Sequence, residues 1–264
     1  MSKSARVALL AASVPAFILL SAQTVAAQNT EIRIMCSNGF RAAMEKLLPQ
    51  AEHTSGHPVK VQFGASANFK RSIEGGEPFD LLIVTPQIVA DLIKEGKLAS
   101  GTEMDLASTG IGIATRAALP KPDVSTAQAV KQMLLDAKSI GYVKVGAGTP
   151  AVLDMFNRLG ISENVQGKTV FQPGADQSMA SVANGQTDVA FGLISEIVSV
   201  PGVQLAGPVP SEFQRRIILT AGIASSTKNR EAVQEIVKSL TSAEAAITIK
   251  ATGLDPVRAA NLRP

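Results

Sequence analysis

Short apolar segments alternate with amphipathic ones along almost the whole of this 264-residue chain, and that rhythm leaves few folds open to it. Residues 31–37 read as a strand. Residues 40–52 place Phe40, Ala43, Met44, Leu47, Leu48 and Ala51 at the three-four spacing of one helix face, and Thr54-Ser55-Gly56-His57-Pro58 ends the pattern. Val59-Lys60-Val61-Gln62-Phe63 alternates as a strand does, a short helix follows from about residue 67 to 74, and Gly75-Gly76 closes it. Residues 80–85 form a buried strand, with Pro86 suited to the first turn of a helix running to 94. A β-α-β-α-β-α order predicts a mostly parallel sheet with helices on both faces.

The later chain repeats the theme. Ser125 or Thr126 is placed to cap a helix to 138, residues 139–144 read as a strand, and a helix from 150 to 159 stops at Gly160. Segments 169–172 and 189–193 are further strands, with helices at about 176–184, 231–240 and 243–251. Two longer strand segments, 107–115 and 216–225, bracket a block with its own α/β alternation. If both cross between lobes, residues 28–112 plus 220–264 make one lobe and 113–219 the other. The expected class is therefore α/β, with two lobes joined by two crossing strands.

Composition narrows the function. Hydrophobic residues make up 45% and charged residues 18%, enough for a sizeable core and unlike a disordered chain. Residues 1–27 read as a secretory signal peptide. Lys3 and Arg6 form the positive start, Val7 to Leu20 the apolar stretch, and Val25-Ala26-Ala27 the small residues before a cut at Gln28. The apolar stretch is 14 residues and contains Pro15, short of the ~18 that a spanning helix needs. Without Lys3 and Arg6 the excess of basic over acidic residues falls from three to one, so nothing marks a nucleic-acid partner. The mature protein is expected in the periplasm as a monomer. Its single cysteine, Cys36, lies in an apolar run and reads as a small buried hydrophobe.

Catalytic signatures are scarce. There is no phosphate loop ending in Gly-Lys-Ser/Thr and no Gly-x-Ser-x-Gly elbow. The two histidines, His53 and His57, stand where the first helix breaks and read as solvated helix-end residues. No metal, cofactor or catalytic residue is expected. The absence of Trp, with Tyr142 the one tyrosine, disfavours a sugar site built on aromatic platforms.

Four strand-to-helix turns rich in small and polar residues stand out instead. They are Ser37-Asn38-Gly39, Gly64-Ala65-Ser66-Ala67-Asn68, Gly146-Ala147-Gly148-Thr149 and Gly174-Ala175-Asp176-Gln177-Ser178. Each presents backbone N–H groups at the positive end of a helix, where anions bind, and small residues let a ligand approach the backbone. Two turns fall in each expected lobe, so closure of the lobes on a small anion would bring them face to face. The candidate ligand residues are Ser37, Asn38, Gly39, Ser66, Gly148, Thr149, Ala175 and Asp176. Each turn also has a plainer reading as an ordinary cap, and Asp176 would repel an anion unless it caps its own helix.

Two of these segments resemble a known family. Val61-Gln62-Phe63-Gly64-Ala65-Ser66, followed by Ile73-Glu74-Gly75-Gly76-Glu77-Pro78-Phe79-Asp80-Leu81-Leu82-Ile83, is similar to the periplasmic molybdate-binding family. The resemblance implies a two-lobed type 2 periplasmic-binding-protein fold, an oxyanion ligand and delivery to the permease of an ABC importer. It implies an oxyanion contact for Ser66 and backbone donors at Gly148-Thr149 and near Ala175. Gly39 stands where the family has a second serine, and Leu193 where molybdate binders tend to have a tyrosine. Gly76-Glu77-Pro78-Phe79-Asp80, Thr85-Pro86, Gly110-Ile111-Gly112 and Val200-Pro201-Gly202-Val203 resemble a side branch similar to aconitate isomerase. That alternative needs a proton acceptor near the cleft, for which Asp176, Tyr142 and Glu196 are the candidates.

Overall fold

The computed structural model describes residues 31–257, so the leader expected at residues 1–27 lies outside the described residues. The chain builds two sheets. The first half contributes β1 (Ile32–Ser37), a 3-10 turn (Asn38–Phe40), α1 (Arg41–Ser55), β2 (Val59–Gly64), α2 (Ser66–Glu74), β3 (Leu81–Val84), α3 (Pro86–Lys94) and β4 (Met104–Thr109). The middle contributes β5 (Ile111–Arg116), α4 (Ala127–Asp136), β6 (Ile140–Val143), α5 (Thr149–Arg158), α6 (Ser162–Gln166), β7 (Thr169–Gln172), α7 (Ala175–Ala183), β8 (Val189–Leu193), α8 (Ile194–Val198) and β9 (Val203–Pro208). Then β10 (Ile217–Ile223), α9 (Arg230–Leu240), α10 (Ala243–Lys250) and β11 (Asp255–Pro256) return to the first sheet.

The sheet orders are β11-β4-β10-β3-β1-β2 and β7-β6-β8-β5-β9. Parallel pairing is confined to β2-β1-β3 in one sheet and β7-β6-β8 in the other. Strands β10, β11, β5 and β9 pair antiparallel, so each sheet is mixed where the sequence predicts a mostly parallel one.

Strand periodicity explains the layers. In β1, Ile32, Ile34 and Cys36 pack on one face with helices α1, α9 and α10, whereas Met35 faces α2 and α3. In β3, Leu81 and Ile83 follow the first set, and Leu82 and Val84 the second. Because all four residues of β3 are buried, it reads as a continuous apolar run. The second sheet repeats the scheme: Ile111, Ile113, Val189 and Phe191 face one core, Ala114 and Ala190 the other. Small alanines on that second face let α7 and α8 pack close.

The passage between the sheets is narrow. β4 ends at Thr109 in the first sheet, Gly110 intervenes, and β5 begins at Ile111 in the second. The long strand expected at 107–115 is therefore split at Gly110. The one expected at 216–225 is observed as β10, wholly within the first sheet, and the return leg is the strandless stretch 209–216. Gln214 ties the two legs together: Ile111 N–H donates to its Oε1 at 2.7 Å, and its Nε2 donates to the Ile111 carbonyl at 2.9 Å. A Cβ at Gly110 would stand 3.1 Å from that Oε1, so the crossing stays slim where the clamp grips.

Candidate functional site

The carboxyl ends of β1, β2, β6 and β7 point into one cleft between the sheets, the place where open α/β sheets hold ligands. The cavity left within the cleft is small, about 50 Å³. From the first sheet it is lined by Ser37 and Asn38 and by Gly64, Ala65 and Ser66; from the second by Gly146 to Thr149 and by Gly174 and Ala175. All four turns singled out in the sequence therefore meet there.

Ser66 is the first residue of α2, with Ala65 before it at the N-cap position. Its hydroxyl caps nothing, and Oγ is buried with no hydrogen-bond partner. Helices α2, α5 and α7 all begin without a side-chain cap. The first N–H groups of α2 and α7 are therefore left at the cleft, whereas in α5 those of Thr149 and Ala151 bond to the Gly146 and Gly148 carbonyls and Pro150 has none. By contrast, Thr126 caps α4 through Ala129 N–H, and Ser242 caps α10 through Ala245 N–H. Ser37 and Asn38 also reach the cleft, and the Asn38 Oδ1 accepts from Arg41 Nη2 at 3.1 Å.

Three candidates behave differently from the sequence expectation. Gly39 does not line the cleft: it is packed beneath Leu193 and Leu219, and its carbonyl accepts from Ser195 Oγ at 2.8 Å. A Cβ there would come within 2.7 Å of Leu193 Cδ1. Thr149 lines the cleft, yet its hydroxyl donates to the Val143 carbonyl at 2.6 Å and accepts from Gly146 N–H at 3.1 Å. Its own N–H donates to the Gly146 carbonyl at 3.1 Å. Thr149 closes the loop and leaves Gly148 as the backbone presented to the cleft. Asp176 also lies outside the lining and caps nothing; it forms a 2.8 Å ion pair with Arg41 Nη2 across the two lobes.

Arg41, which sequence reasoning missed, is a hub at this mouth. Its guanidinium lies 4.3 Å from the centroid of the Phe63 ring, beside Asn38 and 3.7 Å from Glu45. No motif flags it, because its partners come from β2 and α7, far away in sequence.

The remaining wall is apolar with two polar exceptions. Ile111, Val143, Val152, Met179, Phe191 and Leu193 supply the hydrocarbon surface. Tyr142 is buried, held edge-on between Phe156 and Phe171, and it lines the cleft. Glu196 lines it as well, from the first turn of α8, where its Oε2 accepts from Leu193 N–H at 3.0 Å. Burial pushes the Glu196 carboxyl up to about 7, and the Asp176 carboxylate adds to the rise, while the Leu193 N–H and Arg41 oppose it. Among the described residues no group of three or more His, Cys, Asp or Glu is placed to hold a metal ion.

Residues 32–255 match the family model of the bacterial extracellular solute-binding proteins. The chain belongs to that family. This solute-binding protein is 29% identical to an aconitate isomerase from Pseudomonas sp, over 96% of this chain and 95% of the relative. It is 26% identical to the molybdate-binding protein ModA of Azotobacter vinelandii, over 86% and 91%. The solved periplasmic molybdate-binding protein of Azotobacter vinelandii superposes with a TM-score of 0.71 at 20% identity, covering 84% of this chain and 98% of that one. The fold is thus the two-lobed type 2 periplasmic-binding-protein fold. No helix among the described residues is long and apolar enough to cross a membrane.

Proposed function

We propose that this solute-binding protein captures a small anion, an oxyanion or an organic carboxylate, between its two lobes and hands it to the permease of an ABC importer. It does so as a periplasmic monomer, after removal of the leader at residues 1–27. The observation that carries the reading is the Ser66 hydroxyl, buried without a partner at an uncapped helix start that faces two more across the cleft. Buried polar groups are normally paired, and an anion supplies the missing acceptor while meeting the positive helix ends. Ser37, Asn38, Ser66, Gly148 and Ala175 form the ligand shell in this reading. Arg41 and Asp176 hold the mouth closed across it. Gly39 and Leu193 stand where the resemblance to the molybdate-binding family implies two further side-chain donors, so hydrocarbon makes up more of this shell than that resemblance implies. Calorimetric titration of wild type and Ser66→Ala with molybdate, and separately with trans-aconitate, tests the assignment.

One observation favours a second reading. Glu196 is a cleft carboxyl ionising at about 7, the property a proton-transferring group needs near neutral pH. With the aconitate isomerase relative, that supports isomerisation of aconitate in the same cleft. Proton NMR of trans-aconitate incubated with the protein should then show the cis isomer growing, and Glu196→Gln should abolish it. No conversion above a protein-free control leaves the binding reading alone.

A further inference from the structure

The turn residues account for the donors of the cleft but not for its one acidic lining residue. Glu196 reaches the cavity from α8, and among the described residues it is engaged through Oε2, which accepts from Leu193 N–H at 3.0 Å. Its neighbours on the wall are Met179, Phe191, Leu193 and Gly192, none of which can neutralise a carboxylate. A Cβ at Gly192 would sit in ordinary contact with Oε2, 3.4 Å away, so the carboxyl lies beside the strand backbone. Arg41 from α1 is the cation that acts on it, but that guanidinium is ion-paired to Asp176 and Glu45. Asp176 from α7 faces it with like charge, and Tyr142 from β6 shares the cavity. Strands β8 and β9 and the Asn38–Phe40 turn contain no ionisable side chain, and Arg116 stands at the far end of β5 from Ile111.

An anion entering this cavity meets a carboxylate for which the described residues supply no free counter-charge. Two like charges at hydrogen-bond range in a desolvated site are not both retained; one proton resolves them, as in paired carboxylates. We propose that the cleft takes up its anion together with one proton, held between the Glu196 carboxyl and the nearest ligand oxygen. This rests on the anion reading above and adds a specificity rule to it: the ligand must place an acceptor oxygen opposite Glu196. The protonated carboxyl donates to that oxygen, and its other oxygen keeps the Leu193 N–H. Ionisation of Glu196 turns the same contact repulsive. The group's ionisation near 7 makes the proton available at neutral pH, so affinity is full below that value and falls as pH rises through it.

The test is calorimetric titration of molybdate, and separately of trans-aconitate, at pH 6 and pH 8. Each titration is run in two buffers of different ionisation heat, so that proton uptake is counted directly in wild type. For whichever probe binds, Kd should rise about tenfold from pH 6 to pH 8, as expected for one group ionising near 7, with close to one proton taken up at pH 8. Glu196→Gln keeps an acceptor for Leu193 N–H and supplies an uncharged donor, so its affinity should be the same at both pH values. Equal wild-type affinity at both pH values without proton uptake overturns the proposal and leaves the anion reading standing. A pH dependence that survives in Glu196→Gln also overturns it, placing the proton on Tyr142 or on the ligand. If neither probe binds at either pH, and tungstate, sulfate, phosphate and citrate do not bind either, it is the anion reading that fails, and this proposal falls with it.

Discussion

Ser66 has two conceivable jobs, and the structure separates them. As an N-cap its hydroxyl would accept from an N–H of the helix that follows, and alanine would cost about 1 kcal/mol of stability while leaving binding intact. Instead Ala65 occupies the N-cap position, and the Ser66 Oγ bonds nothing. A charge-assisted bond from this hydroxyl to an anion is worth roughly 1.5–3 kcal/mol. Ser66→Ala should therefore weaken anion binding about 10- to 150-fold in the titration described above, with the melting temperature of the free protein unchanged or slightly higher. Unchanged affinity with a lowered melting temperature would return Ser66 to a capping role. Ser66 was legible in the sequence because its chemistry is local, a hydroxyl in a small-residue turn before a helix. Arg41 was not, since its meaning comes from Phe63 on β2 and Asp176 on α7, which only the closed arrangement of lobes brings to it.

Between elements, the decisive contact is that of the Asn38–Phe40 turn with the start of α8. Ser195 Oγ donates to the Gly39 carbonyl there, and the Leu193 side chain fills the space where a Gly39 side chain would project. The two positions are thus structurally coupled, because the leucine closes on the glycine. Gly39→Ser should overpack the junction and lower stability by roughly 1–3 kcal/mol in chemical denaturation. In a Leu193→Ala background, already weakened by its own cavity, the added serine should be nearly neutral. Equal cost in both backgrounds would show that Leu193 does not occupy that space. The elements themselves were readable wherever periodicity is strong: β1, β2, β3, β6 and β8 lie where alternation or apolar runs place them. The crossings were not. A strand pattern runs unbroken through Gly110, and nothing in it tells that the hydrogen-bond partners change from β10 to β8 and β9 at that glycine. Nor does Gln214, an ordinary polar residue in sequence, announce that it clamps Ile111 from the return leg.

At the scale of the molecule, two mixed sheets face each other across a cleft whose floor is a pair of chain crossings and whose mouth is an Arg41–Asp176 ion pair. The halves of that ion pair are partly exposed, so it contributes modestly and weakens with salt. Binding that is confined to the closed arrangement stabilises the whole fold by linkage, roughly 2.7 kcal/mol at about 100 times Kd. For a chain of this size that corresponds to a rise on the order of 5–10 °C in melting temperature. The most direct test of an anion cleft is therefore a melting experiment on the protein lacking residues 1–27 with molybdate, tungstate, sulfate, phosphate, citrate and aconitate, each against neutral sugars. The account predicts a rise of about 5–10 °C with at least one of these anions and none with the sugars. A rise with a sugar and with none of the anions would contradict it.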